Sequence, residues 1–411
     1  MVTVRAMTEA DRESGFRAFV DAYGGGRKLY ESAMSVPLAN RWVADEDGRI
    51  VGIMRGLPME QAFGGRFVPS IGVAAVAVAI DARSRGIGKE LMTGFLRSQR
   101  EAGMALSVLN FTTSAPYRGV GYEIAGHRIR YALPVEHLPR KGDLPVEPWD
   151  DDDLPEVNES LRRFALTQNG LIARPDWWWE TRVFKPLDDD QYLYRYLVRQ
   201  DGEVRGSLVY TLNKVTRDDL PVAWVRESEA LEIVARDLFW ETPEAGRSLL
   251  AFVAGQRALG TDLAWTGPAD DPLALLIPEH GPRFTSGNRW MARVVHVAAA
   301  LEARGYAAAL EATVDLAVDD PWPPENAGVY RIRFAGGRAT VEGPDALGAG
   351  GAGAGGQLAT ITVGGLASLF TSYATTATLV GAGLLRGATA ATMSILDQAF
   401  AGPSPWMLDF F

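Results

Sequence analysis

A chain of 411 residues is too long for one ordinary hydrophobic core, and its length predicts roughly two to three domains. Its 47% apolar and 22% charged residues are those of a folded globular protein, not of a disordered chain. A formal charge of −10 and a pI near 5.1 lack the basic footprint that phosphate contacts need, which argues against a general nucleic-acid binder; the absence of cysteine excludes disulfides, zinc-thiolate sites and thiol nucleophiles.

The opening "MVTVRAMTEADRESG" has no basic segment followed by an apolar one, so no signal peptide is expected, and a cysteine-free chain fits a cytoplasmic setting. Thr8 followed by acids, then Phe16, Phe19 and Val20 at helical spacing, predicts a capped amphipathic helix. "RWVADEDGRIVGIMRGLPM" reads as two strands joined at Asp47-Gly48. The continuous "SIGVAAVAVAI" reads as a fully buried strand, and its apolar run is about half of the roughly 20 residues that a membrane helix needs. A helix is expected over 87–101, with Ile87, Leu91, Phe95 and Leu96 on one face, and "LSVLNF" is the next strand.

The acidic, proline-punctuated "VEPWDDDDLPEV" marks the opening of a second domain. There "YLYRYLVRQDGEVRGSLVYTL" repeats the strand, Asp-Gly turn, strand pattern, and "ALEIVARDLFWETPEAGRSLLAFVAGQRALG" repeats the strand-to-helix order, so a second copy of one α/β unit is expected. "PDWWWE" reads as inter-domain packing. From about residue 291 the pattern changes, with short strands around "GVYRIRFAGGRATVEG" and a Gly/Ala run over 348–356 that reads as a flexible hairpin loop. The final "SPWMLDFF" is too apolar to trail in water and is expected to pack. Histidines at 127, 137, 280 and 296 have no metal-ligand spacing, so no metal is expected.

The chemistry concentrates in "VAVAIDARSRGIGKELM". A buried strand runs into Arg83-x-x-Gly86-x-Gly88 at a helix start, where free N–H groups and the helix dipole favour an anion and Arg83, Arg85 and Lys89 add charge. An ordinary strand-to-helix turn with solvated arginines is the plain alternative. Leu91 stands where a dinucleotide fingerprint has its third glycine, and Glu90 where a Walker A loop has Ser or Thr. Downstream, "TTSAPYRGVGYE" places Tyr117 before Gly121-Tyr122.

Strand, Arg-x-x-Gly-x-Gly, helix, strand and Tyr-x-x-x-Gly-Tyr together resemble the GCN5-related N-acetyltransferases. By that resemblance Val76 and Val78 offer backbone groups to the pantetheine arm and acetyl carbonyl of acetyl-coenzyme A, Arg83, Ser84, Gly86 and Gly88 grip its pyrophosphate, Thr112 lines the same channel, and Tyr117 is the general acid. The whole chain resembles the Eis (enhanced intracellular survival) family. That resemblance implies an α/β (α+β) fold of two tandem acetyltransferase-like units, 1–134 catalytic and 135–290 degenerate, with a sterol-carrier-protein-like domain over 291–411. It further implies the Phe411 carboxylate as general base, aminoglycoside-like polycationic amines as substrates, and a hexameric homo-oligomer. Asp21, Tyr23 and Tyr30 are expected near the substrate entrance, with Asp409 adding negative potential. Glu241 and Glu244, where the first unit has basic residues, are expected to keep pyrophosphate out of the second. Protein or peptide lysines as acceptors, and a non-catalytic lipid-binding or scaffold role, are the competing readings.

Overall fold

The computed structural model describes residues 2–24, 30, 37–185, 191–215, 230–258, 260–277, 281–322, 324–344 and 358–411. They form two compact units, one of residues 1–126, 289–403 and 410–411, the other of 127–288 and 404–409. The Gly/Ala run over 348–356 and His280 lie outside the described residues.

In the first unit, β1 (Val2–Ala6), β2 (Arg41–Glu46), β3 (Arg49–Phe63), β4 (Arg66–Val78) and β5 (Leu106–Asn110) are successive neighbours in a sheet. All pairs are antiparallel except β4 with β5. The helix α1 (Arg12–Tyr23) begins beyond Thr8, whose N–H and hydroxyl both bond the Asp11 carboxylate (2.7 Å each); Arg5 clamps the same carboxylate. Asp47 and Gly48 both take positive φ, the twist that a tight hairpin between β2 and β3 requires. The helix α2 (Ile87–Glu101) connects β4 to β5 and buries Ile87, Leu91, Met92, Phe95 and Leu96, the stripe that the sequence spacing predicts. Ile53, Val73, Leu91 and Phe95 share one core.

Residues 289–403 complete this unit. Trp290 to Val294 pair antiparallel with β5, and a separate sheet holds the strands 338–342, 328–335, 312–319, 359–362 and 385–386 in that order. Arg293 and Asp320, both fully buried, pair at 2.9 Å, and Phe63 packs edge-on against Phe370. These residues therefore share a compact unit with residues of the first acetyltransferase-like segment.

The second unit repeats the first unit's order. The strands Tyr194–Gln200, Glu203–Val215 and Ala230–Trp240 are antiparallel neighbours, the helix Pro243–Ala254 follows, and the strand Gly260–Gly267 returns parallel to Ala230–Trp240. Its hairpin turn is again Asp-Gly, with Asp201 and Gly202 both at positive φ. Glu241, just before the helix, accepts bonds from Ser160 (2.6 Å) and Arg163 (2.9 Å) and pairs with Arg205 (3.2 Å), and Glu244 pairs with Arg247. Both acids thus have their own cations and do not stand as free repelling charges. In "PDWWWE", Trp178 and Trp179 are fully buried, Trp179 against Trp149 and Phe184, so this segment packs inside the second unit's own residues.

Candidate active site

The site begins with an irregularity in β4. Ile53 pairs with Ala77 and Arg55 with Ala74, so one residue of β3 faces two of β4, a bulge marked by Ala75 at φ +52°. The parallel pairing with β5 reaches Val73–Leu109 and goes no further. Ala79 N–H donates to the Val51 carbonyl of β3 (3.0 Å). Strand alternation therefore turns the N–H and C=O groups of Val78 and Val76 away from β3, toward the side where β5 has stopped pairing. Two backbone edges thus stand open beside each other, ready to pair with an extended, amide-containing ligand. The Val76 carbonyl accepts from Tyr23 Oη (3.2 Å) and the Val78 carbonyl from Arg83 Nε (3.4 Å), which leaves their N–H groups as the donors of the opening.

The strand then leads into the helix start. Ser84 and Gly86 both take positive φ, +61° and +84°, and with Gly86 as N-cap the first-turn N–H groups of α2 point out of the helix without intrahelical acceptors. Gly88 follows in open space, where a Cβ would meet only a Val78 methyl, at 3.7 Å. This is an anion cradle of backbone donors at a helix dipole. Its arginines are partly engaged: Arg83 also donates to the Asp21 carbonyl (3.0 Å), and Arg85 pairs with Glu46. The donor set fits a pyrophosphate held chiefly by main chain.

Tyr117 lies in the short helix α3 (Ala115–Arg118), and its carbonyl accepts from both Val120 N–H (3.0 Å) and Tyr122 N–H (3.1 Å), which fixes the turn. Its ring is half-buried and meets Tyr122 edge-on at 6.1 Å. Burial, with a smaller contribution from Tyr23, pushes the Tyr117 phenol up to about 12. It is therefore a neutral proton donor throughout the physiological range. Tyr122 Oη lies 2.6 Å from Ser107 Oγ, and Ser107 donates to the Ile71 carbonyl, so Tyr122 donates to Ser107 and its own proton is committed. Of the two tyrosines, only Tyr117 has a proton to give.

Phe411 is 7% exposed, and its ring lies on Gly72, in the middle of β4. A Cβ at Gly72 would stand 2.7 Å from the ring edge and 2.4 Å from the Met59 methyl, so the glycine is what admits the aromatic. Carbon contacts need about 3.5–4.0 Å, so Gly72→Ala forces the ring back by about 1 Å. We expect this variant to fold, to keep its acetyl-coenzyme A affinity and to lose about tenfold in kcat, read by thiol release.

Three expected substrate residues are placed elsewhere. Tyr30 is buried in the core between Phe16 and Phe19, and its hydroxyl donates to the Arg12 carbonyl (2.7 Å), because an aromatic flanked by apolar helix faces gains more by burial than at an entrance. Asp409 is 8% exposed and bound to Arg174 and Trp178 of the second unit, so its charge is neutralised internally and adds no potential to a pocket. Asp21 accepts from Ile80 N–H (3.3 Å) and stands beside the phosphate loop rather than at an entrance. Tyr23 alone of this group reaches the opening, through Val76. Thr112 is exposed in the turn after β5. Among the described residues no cluster of three or more metal-ligating side chains occurs, and no helix is long and apolar enough to cross a membrane. A groove of about 820 Å³ beside α2 and β1, lined by Val4, Trp42, Arg97 and Trp322, meets the start of α2 at Arg85, Ile87 and Glu90.

Comparison with known proteins agrees with this geometry. Residues 3–125 and 170–294 each match an acetyltransferase (GNAT) domain family, and 297–408 match a sterol carrier protein domain. An uncharacterized N-acetyltransferase of Streptomyces avermitilis is 28% identical over 291 residues, 67% of this chain and 68% of the relative. N-acetyltransferase Eis of Mycobacterium bovis is 24% identical over 396 residues, 88% of this chain and 86% of the relative. Among solved structures, a GCN5-related N-acetyltransferase from Anabaena variabilis superposes with a TM-score of 0.89 at 28% identity, covering 100% of both chains. Eis1 from Mycobacterium abscessus, at 23% identity, shares the fold over 100% of both chains with a TM-score of 0.77. The acetyltransferase domains imply use of acetyl-coenzyme A, for which the open β4 edge and the cradle are suited. With two GNAT domains, a sterol-carrier-type domain and this relationship along most of its length, the chain belongs to the Eis family of GCN5-related N-acetyltransferases and is itself an N-acetyltransferase.

Proposed function

We propose that the first unit transfers the acetyl group of acetyl-coenzyme A to primary amines of aminoglycoside-like polycationic small molecules, with Tyr117 as general acid and the Phe411 carboxylate as general base. The observation that carries this reading is the neutral, proton-bearing Tyr117 in the same unit as the bulged strand β4 and the buried Phe411. The amine nitrogen attacks the thioester carbon and the C–S bond breaks. Tyr117 gives its proton to the departing sulfur, and the carboxylate takes the proton that the nitrogen loses. The Val76 N–H, turned to the open edge, is the donor for the developing oxyanion. Val78 and the cradle of Ser84, Gly86 and Gly88, with Arg83, hold the cofactor arm and pyrophosphate.

The polycationic acceptor rests on the chain's charge of −10 and on the family. The internal engagement of Asp21 and Asp409 is the observation that favours a second acceptor class, peptide lysines, which need less negative potential. Thiol release with a multi-amine aminoglycoside and with a lysine peptide separates the two. We expect kcat/KM at least about tenfold higher for the aminoglycoside, a difference of about 1.4 kcal/mol. An equal or higher value for the peptide overturns the polycation reading.

A further inference from the structure

The second unit carries the same irregularity as the first at the same place. The parallel pairing of Ala230–Trp240 with Gly260–Gly267 reaches Val234–Ala264 and goes no further. Two residues later the strand bulges: Val209 pairs with Asp237 and Tyr210 with Ala235, which leaves Arg236 as the extra residue. In the first unit the pairing ends at Val73 and the bulge lies at Ala75. Counted from these markers, Asp237 occupies the position of Val76, the residue whose backbone faces the first unit's opening.

In the second unit the side chain at this position is held by protein. Asp237 is fully buried, and its two oxygens accept a bidentate pair from Arg174 Nη1 (2.8 Å) and Nη2 (3.0 Å). Arg174 Nε donates to Asp409 Oδ1 (3.0 Å), and Trp178 Nε1 donates to the same oxygen (2.7 Å). The guanidinium face lies on Trp179, 4.6 Å from the ring centre. Burial works against the Arg174 charge, but the fields of Asp237 and Asp409 outweigh it and hold its pKa above the ordinary arginine value. Arg128 and Arg182 also lie within the field of Asp409; burial depresses both, and Asp409 opposes the depression. Asp409 thus answers a buried excess of cations.

The rest of the segment is tied down alongside. Trp406 N–H donates to the Asn169 carbonyl (3.0 Å) and its indole to Gln168 Oε1 (3.1 Å), while His127 exchanges bonds with Pro405 and Met407. Residues 404–409 are therefore an integral part of the second unit, and Phe410 and Phe411 follow directly.

We propose that the degenerate acetyltransferase unit is a receptor for the C-terminal segment, in which Arg174, Asp237 and Trp178 grip Asp409 and so position Phe411 two residues further on. These are positioning residues, acting through Phe411, and the proposal rests on the reading of its carboxylate as the base. At the position that Val76 holds in the first unit, this unit carries a carboxylate whose arginine partner binds the C-terminal segment.

The test uses the full-length protein and two readouts: steady-state kinetics, and trimming of Phe411 and Phe410 by carboxypeptidase A followed by intact mass. Asp409→Asn is expected to speed trimming at least about tenfold and to lower kcat about tenfold with the acetyl-coenzyme A KM unchanged, and added imidazole should restore part of the lost kcat. Trp178→Phe, which keeps the ring volume and removes one hydrogen bond, should speed trimming about threefold and serves if Asp409→Asn does not fold. Wild-type trimming and kcat in the folded variants overturn the receptor proposal. Full activity in a variant lacking Phe410 and Phe411 overturns the base reading instead, and trimming of the full-length protein still decides the receptor.

Discussion

Tyr117→Phe is expected to lower kcat about 10²- to 10³-fold while leaving the acetyl-coenzyme A KM within about twofold, the signature of a group that acts only as charge develops on sulfur. The ring remains to pack against Tyr122, so stability should hardly change, and Tyr122 cannot substitute because its proton is bonded to Ser107. The wild-type pH profile carries a companion expectation. Burial raises the folded-state pKa of Tyr117 to about 12 from 10.0. Between these values the folded protein holds a proton that the unfolded chain has released, so this contribution to stability is complete below pH 10 and is lost as pH rises toward 12. No basic limb from Tyr117 should therefore appear in kcat below about pH 11. A basic limb near 9 that vanishes in Tyr117→Phe would overturn the raised pKa while keeping Tyr117 as the acid, and full activity in Tyr117→Phe would overturn the role itself.

The second large effect concerns Phe411. Removing Phe410 and Phe411, or extending the chain with glycines after Phe411, is expected to lower kcat by about 10²-fold or more while acetyl-coenzyme A still binds, because the proposed cofactor contacts lie on the open edge of β4 and at the start of α2. Deletion also uncovers Gly72, whereas extension leaves the ring in place and displaces only the charge. If extension is harmless and deletion is not, the ring matters and the carboxylate does not. Equal activity in all three forms would place the base elsewhere. Calorimetry with acetyl-coenzyme A is the control, since a loss of binding would trace to the fold rather than to chemistry.

Local pattern carried much of this structure. The helix over 87–101 was legible because apolar residues recur on one face, and the hairpins at Asp47-Gly48 and Asp201-Gly202 because only certain residue types take positive φ cheaply. The turn into α2 at Ser84 and Gly86, both at positive φ, was legible at its glycine for the same reason. What escaped is the pairing of charges across long separations. Nothing near Asp409 in sequence points to Arg174, 235 residues away, nor does anything near Glu241 point to Arg163. An acid's role as pocket wall or internal counter-ion is settled by such partners; Asp409 is tied to Arg174, while burial draws Tyr30 into the core and Tyr23 bonds the Val76 carbonyl. The bulges, too, follow from register between strands and leave no mark in composition.

The Glu241 cluster makes the specialisation of the second unit hard to reverse. Any redesign of the helix start that removes this carboxylate meets Arg163, Arg205 and Ser160, which all bond it, and its loss alone would leave two guanidinium groups without that partner. Replacing the arginines first would leave the acid short of cations instead. Each first step lowers stability before any cofactor can compensate, so the path back runs through several simultaneous changes. An attempt to engineer a second catalytic centre here should begin with the whole cluster, not with a glycine loop.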